Sequence, residues 1–189
     1  VYEMAVKTGT PVIGIFDSIG GRLNEGADML AAYGEILLHS NNLSGVVPQI
    51  ALVLGPCIGT SAMIAANADL VVMSDKGELT LETSGCCASS EDAMKAGICH
   101  IAAGNEDEAI NTVRTLITAL PSNNLSGAPV TDMFGENTGA ALTCSASAAD
   151  VIAAVADDNS FIELQKGFGC AAVTGLAQAS GTTVGVVAY

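Results

Sequence analysis

Short apolar runs and helical periodicity alternate along the first third of the chain. Residues 11–17 are apolar and β-branched and lead into the turn-forming residues 18–21, a pattern typical of a buried strand. Between 25 and 40, apolar residues recur every three or four positions, which predicts a helix. A second apolar run at 48–54 is followed by a break over 55–59. Strand and helix units in this order predict an α/β layer structure.

The same alternation continues through the rest of the chain. A helix is predicted over 105–120 because its first turn is acidic and Pro121 follows its end. Residues 121–143 have no periodicity and are predicted to form a long connection. The remaining predicted elements are helices at 60–67, 90–97 and 146–155 and strands at 69–73, 78–81, 98–102, 168–177 and 182–189, the last two forming a hairpin.

Composition narrows the possible functions. The formal net charge of −14, from 20 acidic and 6 basic residues, argues against a nucleic-acid partner. No apolar run approaches the roughly 20 residues of a membrane span, and the first residues lack a signal-peptide pattern. The expectation is a soluble, cytoplasmic protein with one sizeable core.

The six cysteines form no Cys-x-x-Cys pair and lie among apolar or small residues. Their surroundings favour free, buried thiols. Cys86, Cys87, Cys99 and His100 are the densest group of possible zinc ligands, but adjacent cysteines are an unusual ligand spacing. No metal site is predicted.

Two glycine-rich turns, at 17–22 and 55–61, each stand between a predicted strand and a predicted helix. Such turns leave backbone N–H groups without partners. If the two strands are neighbours, one N–H from each turn could converge on a single oxygen and form an oxyanion hole. An oxyanion hole stabilises a thioester enolate without a charged side chain, whereas the simpler alternative is two tight βα turns with no chemical role.

The sequence around these turns resembles the carboxyltransferase subunits of biotin-dependent acyl-CoA carboxylases and decarboxylases. Residues 9–26 are similar to the family pattern Gly-x-Pro-Val, an apolar strand, Asp-Ser-Gly-Gly-Ala-Arg and Glu-Gly, and Gly55-Pro-Cys-Ile-Gly59 is similar to Gly-Pro-Cys-Ala-Gly-Gly. The ordered set covers nearly the whole chain and is more specific than any single motif. Other matching stretches are 30–34, 44–50, 97–100, 120–124, 157–163 and 173–177.

The resemblance implies a crotonase-like α/β fold with repeated ββα units. Residues 1–156 would be the later part of the N-terminal domain, which binds the acyl-CoA, and residues 157–189 the opening hairpin of the C-terminal domain, which binds biotin. Most of the biotin half would then be missing from this chain. The implied reaction moves a carboxyl group between biotin and the α-carbon of an acyl-CoA through a thioester enolate.

The resemblance also implies the residues and partners of this reaction. Gly20 or Gly21 and Gly59 or Thr60 fall where the backbone oxyanion donors would lie. Arg22 and Ile58 are candidates for contact with coenzyme A, and Lys76 is the other cation available for its phosphates. The implied cofactor is biotin on a carrier domain or protein. The implied partners are the acyl-CoA, a biotin carboxyl carrier protein and either identical copies or other carboxylase or decarboxylase subunits.

The chain departs from the family pattern near the proposed donors. Ile19 stands in place of the first Gly of the pair and Gly21 in place of Ala, while Thr60 and Ser61 replace Gly and Ala. Between 81 and 100 the chain is also shorter than the family pattern. These departures keep open a second interpretation, a non-catalytic or structural relative of such a subunit.

A third interpretation starts from the same second turn. Gly55-Pro-Cys57-Ile-Gly59 fits the nucleophile elbow Gly-x-nucleophile-x-Gly of an α/β-hydrolase, with cysteine as the nucleophile. Asp69 and His100 follow in the chain order that such a triad requires.

Overall fold

Two β-sheets and the helices packed on them make up the computed structural model, which describes residues 1–81, 88–130, 142–143 and 146–189. Within these residues, the first sheet has six strands and is mostly parallel, and the second has three antiparallel strands. The predicted α/β architecture is therefore confirmed. The helices are α1 (Tyr2–Thr8), α2 (Ala27–Leu43), α3 (Thr60–Ala66), α4 (Ser90–Lys95), α5 (Glu106–Ala119) and α6 (Ala148–Val155), with a 3₁₀ turn at Leu23–Glu25. The strands are β1 (Val12–Ser18), β2 (Gln49–Ile58), β3 (Leu70–Met73), β4 (Glu78–Thr80), β5 (Ala88–Ser89), β6 (Ile101–Ala102), β7 (Ile162–Leu164), β8 (Val173–Ala179) and β9 (Thr182–Ala188).

The ten-residue strand β2 organises the larger sheet because it pairs with three other strands. β1 lies parallel to it on one side. On the other side, β3 pairs with residues 50–53 of β2, and β4 pairs with residues 56–58. The sheet is completed by β6 beside β3 and by β5, which is antiparallel to β4.

The predicted break over 55–59 is wrong for its first part, because β2 continues to Ile58. Its last residues remain extended since β4 pairs with them. Pro56 has no N–H to donate, but the register of β1 against β2 is interrupted at this point, between the pairs Phe16/Val53 and Ser18/Cys57. A proline in a strand is tolerated at such an irregularity.

Both faces of β2 are buried, as its continuous apolar run predicts. Ala51, Val53 and Cys57 face α3 and α4 and belong to one buried cluster. Ile50 and Leu52 face the opposite way and pack against α5. The sheet is therefore the middle layer of three.

The smaller sheet lies against the α5 side of this core, since Ile162, Leu164 and Leu176 pack against the buried cluster there. The predicted hairpin is confirmed as β8 and β9. β8 begins at Val173 rather than at residue 168, because residues 165–172 form turns, including the bond from the Phe168 N–H to the Gln165 carbonyl oxygen (2.9 Å).

Two further elements differ from the prediction. The strand predicted over 98–102 is confined to β6, because the N–H groups of Ile98 and Cys99 both donate back to the Ala93 carbonyl oxygen at the end of α4. Helix α1 was not predicted, because its seven residues are too few to establish an apolar period.

No helix in the described part of the chain combines the length and apolarity needed to cross a bilayer.

His100 connects β3 to the segment that precedes β6. Its backbone N–H donates to the Val71 carbonyl oxygen (2.9 Å), and its Nδ1 accepts a hydrogen bond from the Val71 N–H (3.1 Å). Burial lowers the pKa of His100 below its ordinary value of 6.5, and nearby Asp69 opposes that shift in part. The imidazole is therefore held in its neutral form, with Nδ1 as an acceptor.

This arrangement predicts that the free energy of unfolding falls as the pH drops below about 6.5. In that window His100 becomes protonated in the unfolded chain, while the folded chain resists its protonation. The unfolded state therefore binds more protons. His100→Asn retains a side-chain acceptor but does not titrate. Denaturant unfolding at about pH 7.5 and pH 5.5 should show a smaller loss in the variant, with the difference no more than about 1.4 kcal/mol per pH unit. Equal losses in the two proteins would show that His100 is not the titrating group.

Candidate active site

The two glycine-rich turns lie side by side at one edge of the larger sheet. β1 and β2 are parallel neighbours, and Ser18 pairs with Cys57 just before the turns begin. A Cβ atom built on Gly20 would lie 3.6 Å from the carbonyl oxygen of Ile58. The prediction that both turns lie at the same sheet edge is confirmed.

The first turn is shaped by positive φ at Gly20 and by close packing at Gly21. Gly20 has φ +115°, and its N–H donates to Ser18 Oγ across a long 3.3 Å. A Cβ atom on Gly21 would collide with Met29 and would lie 3.0 Å from Cε2 of Tyr33. Glycine at position 21 therefore allows α2 to approach the turn. Among the residues that the structure describes, none accepts a hydrogen bond from the Gly21 N–H.

In the second turn, the Gly59 N–H donates a hydrogen bond, whereas the Thr60 N–H has no acceptor among the described residues. Gly59 has φ +68° and ψ −131°, a conformation that only glycine adopts readily. Its N–H donates to the Thr80 carbonyl oxygen at 2.7 Å and so extends the pairing of β2 with β4. The candidate donors of this turn are thereby reduced to Thr60. The Thr60 N–H, at the first position of α3, has no acceptor within the described ranges.

Tyr33 of α2 contacts both turns, which the sequence did not indicate. The edge of its ring lies against Gly21, and its hydroxyl is 3.1 Å from Ser61 Oγ. Ser61 directly follows Thr60 and is only 8% exposed. In the sequence, Tyr33 was assigned as an apolar position of the helix and as part of the matching stretch 30–34, with no role in the site. The one available signal was Ser61 itself, a polar residue where the family pattern has Ala.

Two of the candidate contacts for coenzyme A are exposed cations, each paired with a carboxylate. The Arg22 side chain is 86% exposed and lies 3.4 Å from Glu25 Oε1. Lys76 Nζ lies 2.8 Å from Glu106 Oε1, and this hydrogen bond raises the pKa of Lys76. Exposed ion pairs of this kind are weak, so an incoming phosphate could take the place of the Glu25 or Glu106 carboxylate. Ile58 ends β2 and is half-buried.

The cysteine-hydrolase interpretation is contradicted by the positions of its three residues. Cys57 is fully buried, and burial raises the pKa of its thiol to about 11, whereas a nucleophilic cysteine needs an accessible thiolate. Asp69 lies at the other end of the sheet, where its Oδ2 accepts from the Gln49 N–H (2.8 Å). Gln49 and Cys57 are eight positions apart along β2, which is about 26 Å of strand. The Nδ1 of His100 is also engaged by Val71.

The possible zinc ligands are only partly described. Cys86 and Cys87 lie outside the described residues. Cys99 is fully buried, and its Sγ lies 3.2 Å from the Ile101 carbonyl oxygen. Within the described ranges, no three His, Cys, Asp or Glu side chains are grouped so that they could hold a metal ion.

A cavity of about 350 Å³ lies far from the turns, at the end of the sheet where β2 and β3 begin. Gln49, Ile50, Leu70 and Leu120 are among its lining residues, which are mainly apolar. The length of β2 separates this cavity from Ile58. It is therefore not part of the site formed by the two turns.

Comparison with known proteins identifies the family of this chain. The model of the carboxyl transferase domain matches residues 1–88 and 86–189. The alpha subunit of methylmalonyl-CoA decarboxylase from Veillonella parvula is 33% identical over 215 aligned residues, covering 100% of this chain and 42% of the relative. The propionyl-CoA carboxylase beta chain of Saccharopolyspora erythraea is 34% identical, covering 100% of this chain and 40% of the relative.

A solved structure gives the same result. One chain of the transcarboxylase 12S crystal structure, determined with methylmalonyl-coenzyme A and methylmalonic acid bound, superposes with a TM-score of 0.88 at 30% identity. The match covers 98% of this chain and 41% of that one. The chain thus spans about two fifths of the length of these relatives.

The alignment with the Veillonella protein also bears on the shortened segment. It extends over 215 positions although the chain has 189 residues, so the relative contains residues that this chain lacks. The two parts of the family match meet at 86–88, within the stretch predicted to be shorter than the family. Because the family model matches the chain from its first residue to its last, this protein belongs to the carboxyl transferase domain family.

Proposed function

We propose that this chain provides the acyl-CoA half of a carboxyltransferase site, in which the N–H groups of Gly21 and Thr60 bind the thioester oxygen. The proposal is supported most strongly by one observation: two adjacent turns each carry an N–H without an acceptor among the described residues. Gly20 is a weaker candidate donor because its N–H already contacts Ser18 Oγ. The Gly59 N–H is excluded by its bond to Thr80.

The chemistry follows from the acidity of a thioester. Loss of a proton or of a carboxyl group from the α-carbon leaves an electron pair that is delocalised onto the thioester oxygen. Two fixed N–H donors stabilise that oxygen more strongly as negative charge develops on it, and they need no reorganisation during the reaction. Removal of one such donor typically costs about 10²–10³ in rate. A backbone site also suits a chain with only 6 basic residues.

Biotin supplies or accepts the carboxyl group in this scheme, and its binding is assigned to other parts of the assembly. The hairpin of β8 and β9 belongs to residues 157–189, which we assign to the opening of the biotin-binding domain. The N–H groups in its turn, at Ser180 and Gly181, are 3.0 and 2.7 Å from the carboxylate oxygens of Asp157. They are therefore not available as a second oxyanion site.

The same proposal covers the fold subclass, the domains and the partners. We assign a crotonase-like fold, with residues 1–156 as the later part of the acyl-CoA domain. Methylmalonyl-CoA and propionyl-CoA are the substrates named for the relatives. A biotin carboxyl carrier protein and further subunits, or copies of this chain, are the proposed partners. The outer face of β1 favours such assembly, since Ile13 and Ile15 are 42% and 66% exposed.

The alternative, a structural relative without catalytic activity, is favoured by the changes at Thr60 and Ser61 and by the shortened segment. It differs from the catalytic proposal in one measurable respect. A structural subunit needs neither free N–H group, whereas the proposed site depends on both.

The first test deletes the Thr60 N–H. Thr60→Pro removes this donor at the first position of a helix, where proline is well tolerated. The assay follows the part of the proposed reaction that takes place on the acyl-CoA, the decarboxylation of methylmalonyl-CoA without an added carboxyl acceptor: the bond to the carboxyl group breaks, CO₂ leaves, and water protonates the enolate to give propionyl-CoA. We expect the variant to lose at least about 10²-fold in rate.

Two matched variants control this test. Thr60→Ala and Thr60→Gly keep the N–H and should retain most of the rate, and thermal melting should show that all three variants fold. Equal activity in Thr60→Pro and Thr60→Ala would remove the N–H from the mechanism. Absence of acyl-CoA binding by calorimetry at millimolar concentration would support the structural alternative.

A further prediction concerns Cys57. Since burial raises the pKa of its thiol to about 11, only about one thiol in a thousand is ionised near pH 8. Iodoacetamide should therefore modify the exposed Cys170 in the folded chain and leave Cys57 unmodified, as measured by peptide mass spectrometry. Comparable modification of the two residues would contradict the buried position of Cys57.

A further inference from the structure

We infer that Tyr33 is a positioning residue that sets the spacing of the two oxyanion turns through its hydrogen bond to Ser61. The inference rests on the proposed function, because that spacing matters only if both turns bind the same oxygen. It assigns a role to a side chain that neither the glycine motifs nor the charged residues indicate.

The contacts of Tyr33 reach both halves of the proposed site. The ring edge packs on Gly21, where even a methyl group would come within 3.0 Å of Cε2. The hydroxyl lies 3.1 Å from Ser61 Oγ, one residue beyond Thr60. Gly21 and Thr60 carry the two proposed donors. One rigid aromatic ring therefore spans the distance between the segments that present them.

The environment of this hydrogen bond favours a fixed geometry. Ser61 is 8% exposed, so its hydroxyl has little access to water as a substitute partner. Tyr33 is held within the 17-residue helix α2, and Ser61 lies within α3. The bond thus joins two helices that each follow one of the turns. Movement of either helix would change the separation of the two N–H groups.

The bond is also particular to this chain, compared with the family pattern described above. Ser61 stands where that pattern has Ala, and a methyl group can neither donate nor accept a hydrogen bond. The neighbouring change, Thr60 in place of Gly, makes the backbone at the donor less permissive. The Tyr33–Ser61 bond fixes the second turn at the same point where the sequence departs from the pattern.

The test is a double-mutant cycle on methylmalonyl-CoA decarboxylation by the 189-residue chain. Tyr33→Phe and Ser61→Ala should each lower kcat about 10-fold with KM little changed, because small misplacement of catalytic donors affects the transition state more than binding. The double variant should lose no more than either single variant, since both changes remove one bond. Ser61→Thr, which keeps a hydroxyl, should recover part of the rate.

Ser40→Ala is the matched control for a merely structural effect. Ser40 Oγ donates to Gln49 Oε1 at 2.7 Å, a buried bond at the opposite end of β2. We expect this variant to melt at a lower temperature with kcat unchanged. If kcat instead followed melting temperature across all the variants, the positioning role would be overturned. Multiplicative losses in the double variant would overturn it as well.

Amide hydrogen exchange separates this inference from the proposed function. In Tyr33→Phe, peptides covering 18–22 and 59–63 should both exchange faster than in the unmodified chain, whether or not that chain is active. Unchanged exchange in either peptide would overturn the inference. If the unmodified chain neither binds methylmalonyl-CoA in calorimetry nor decarboxylates it, but exchange responds as expected, the proposed function fails and the structural link between the turns stands.

Discussion

The pairing of β2 with β1 on one side and with β3 and then β4 on the other is the constraint on which the site depends. β2 is buried on both faces, so its register is fixed by the packing of α3, α4 and α5. Because β1 and β2 are parallel, the turns that follow the two strands lie at the same edge of the sheet. The short strand β4 then binds the Gly59 N–H through Thr80, and the next N–H, at Thr60, is left without such a partner.

A site made from backbone donors is consistent with the electrostatics of the chain. With a net charge of −14, the chain has few cations to place near an anionic intermediate, and Arg22 and Lys76 are both paired with carboxylates. Backbone N–H groups have partial positive charge regardless of the side chain. Their position depends on turn geometry, so close packing at Gly21 and the Tyr33–Ser61 bond bear on the proposed function.

The sequence predicted most of the elements and the relation between the two turns, because apolar periodicity and glycine spacing are local signals. It did not predict that β2 continues through Pro56, since that depends on pairing with β4, which is remote in sequence. It also could not choose between Gly59 and Thr60, because the acceptor of the Gly59 N–H is Thr80. The contact of Tyr33 with Ser61 was missed for the same reason: 28 positions separate the two residues.

The most direct test of this account is a titration of the ¹⁵N-labelled chain with a non-reactive acyl-CoA analogue, followed by amide NMR. If the two turns bind the thioester oxygen, the largest downfield shifts of amide protons should occur at Gly21 and Thr60, with the Gly59 amide much less affected. Shifts confined to the residues around Gln49 and Leu70 would instead place the ligand in the cavity at the opposite end of the sheet and contradict the account.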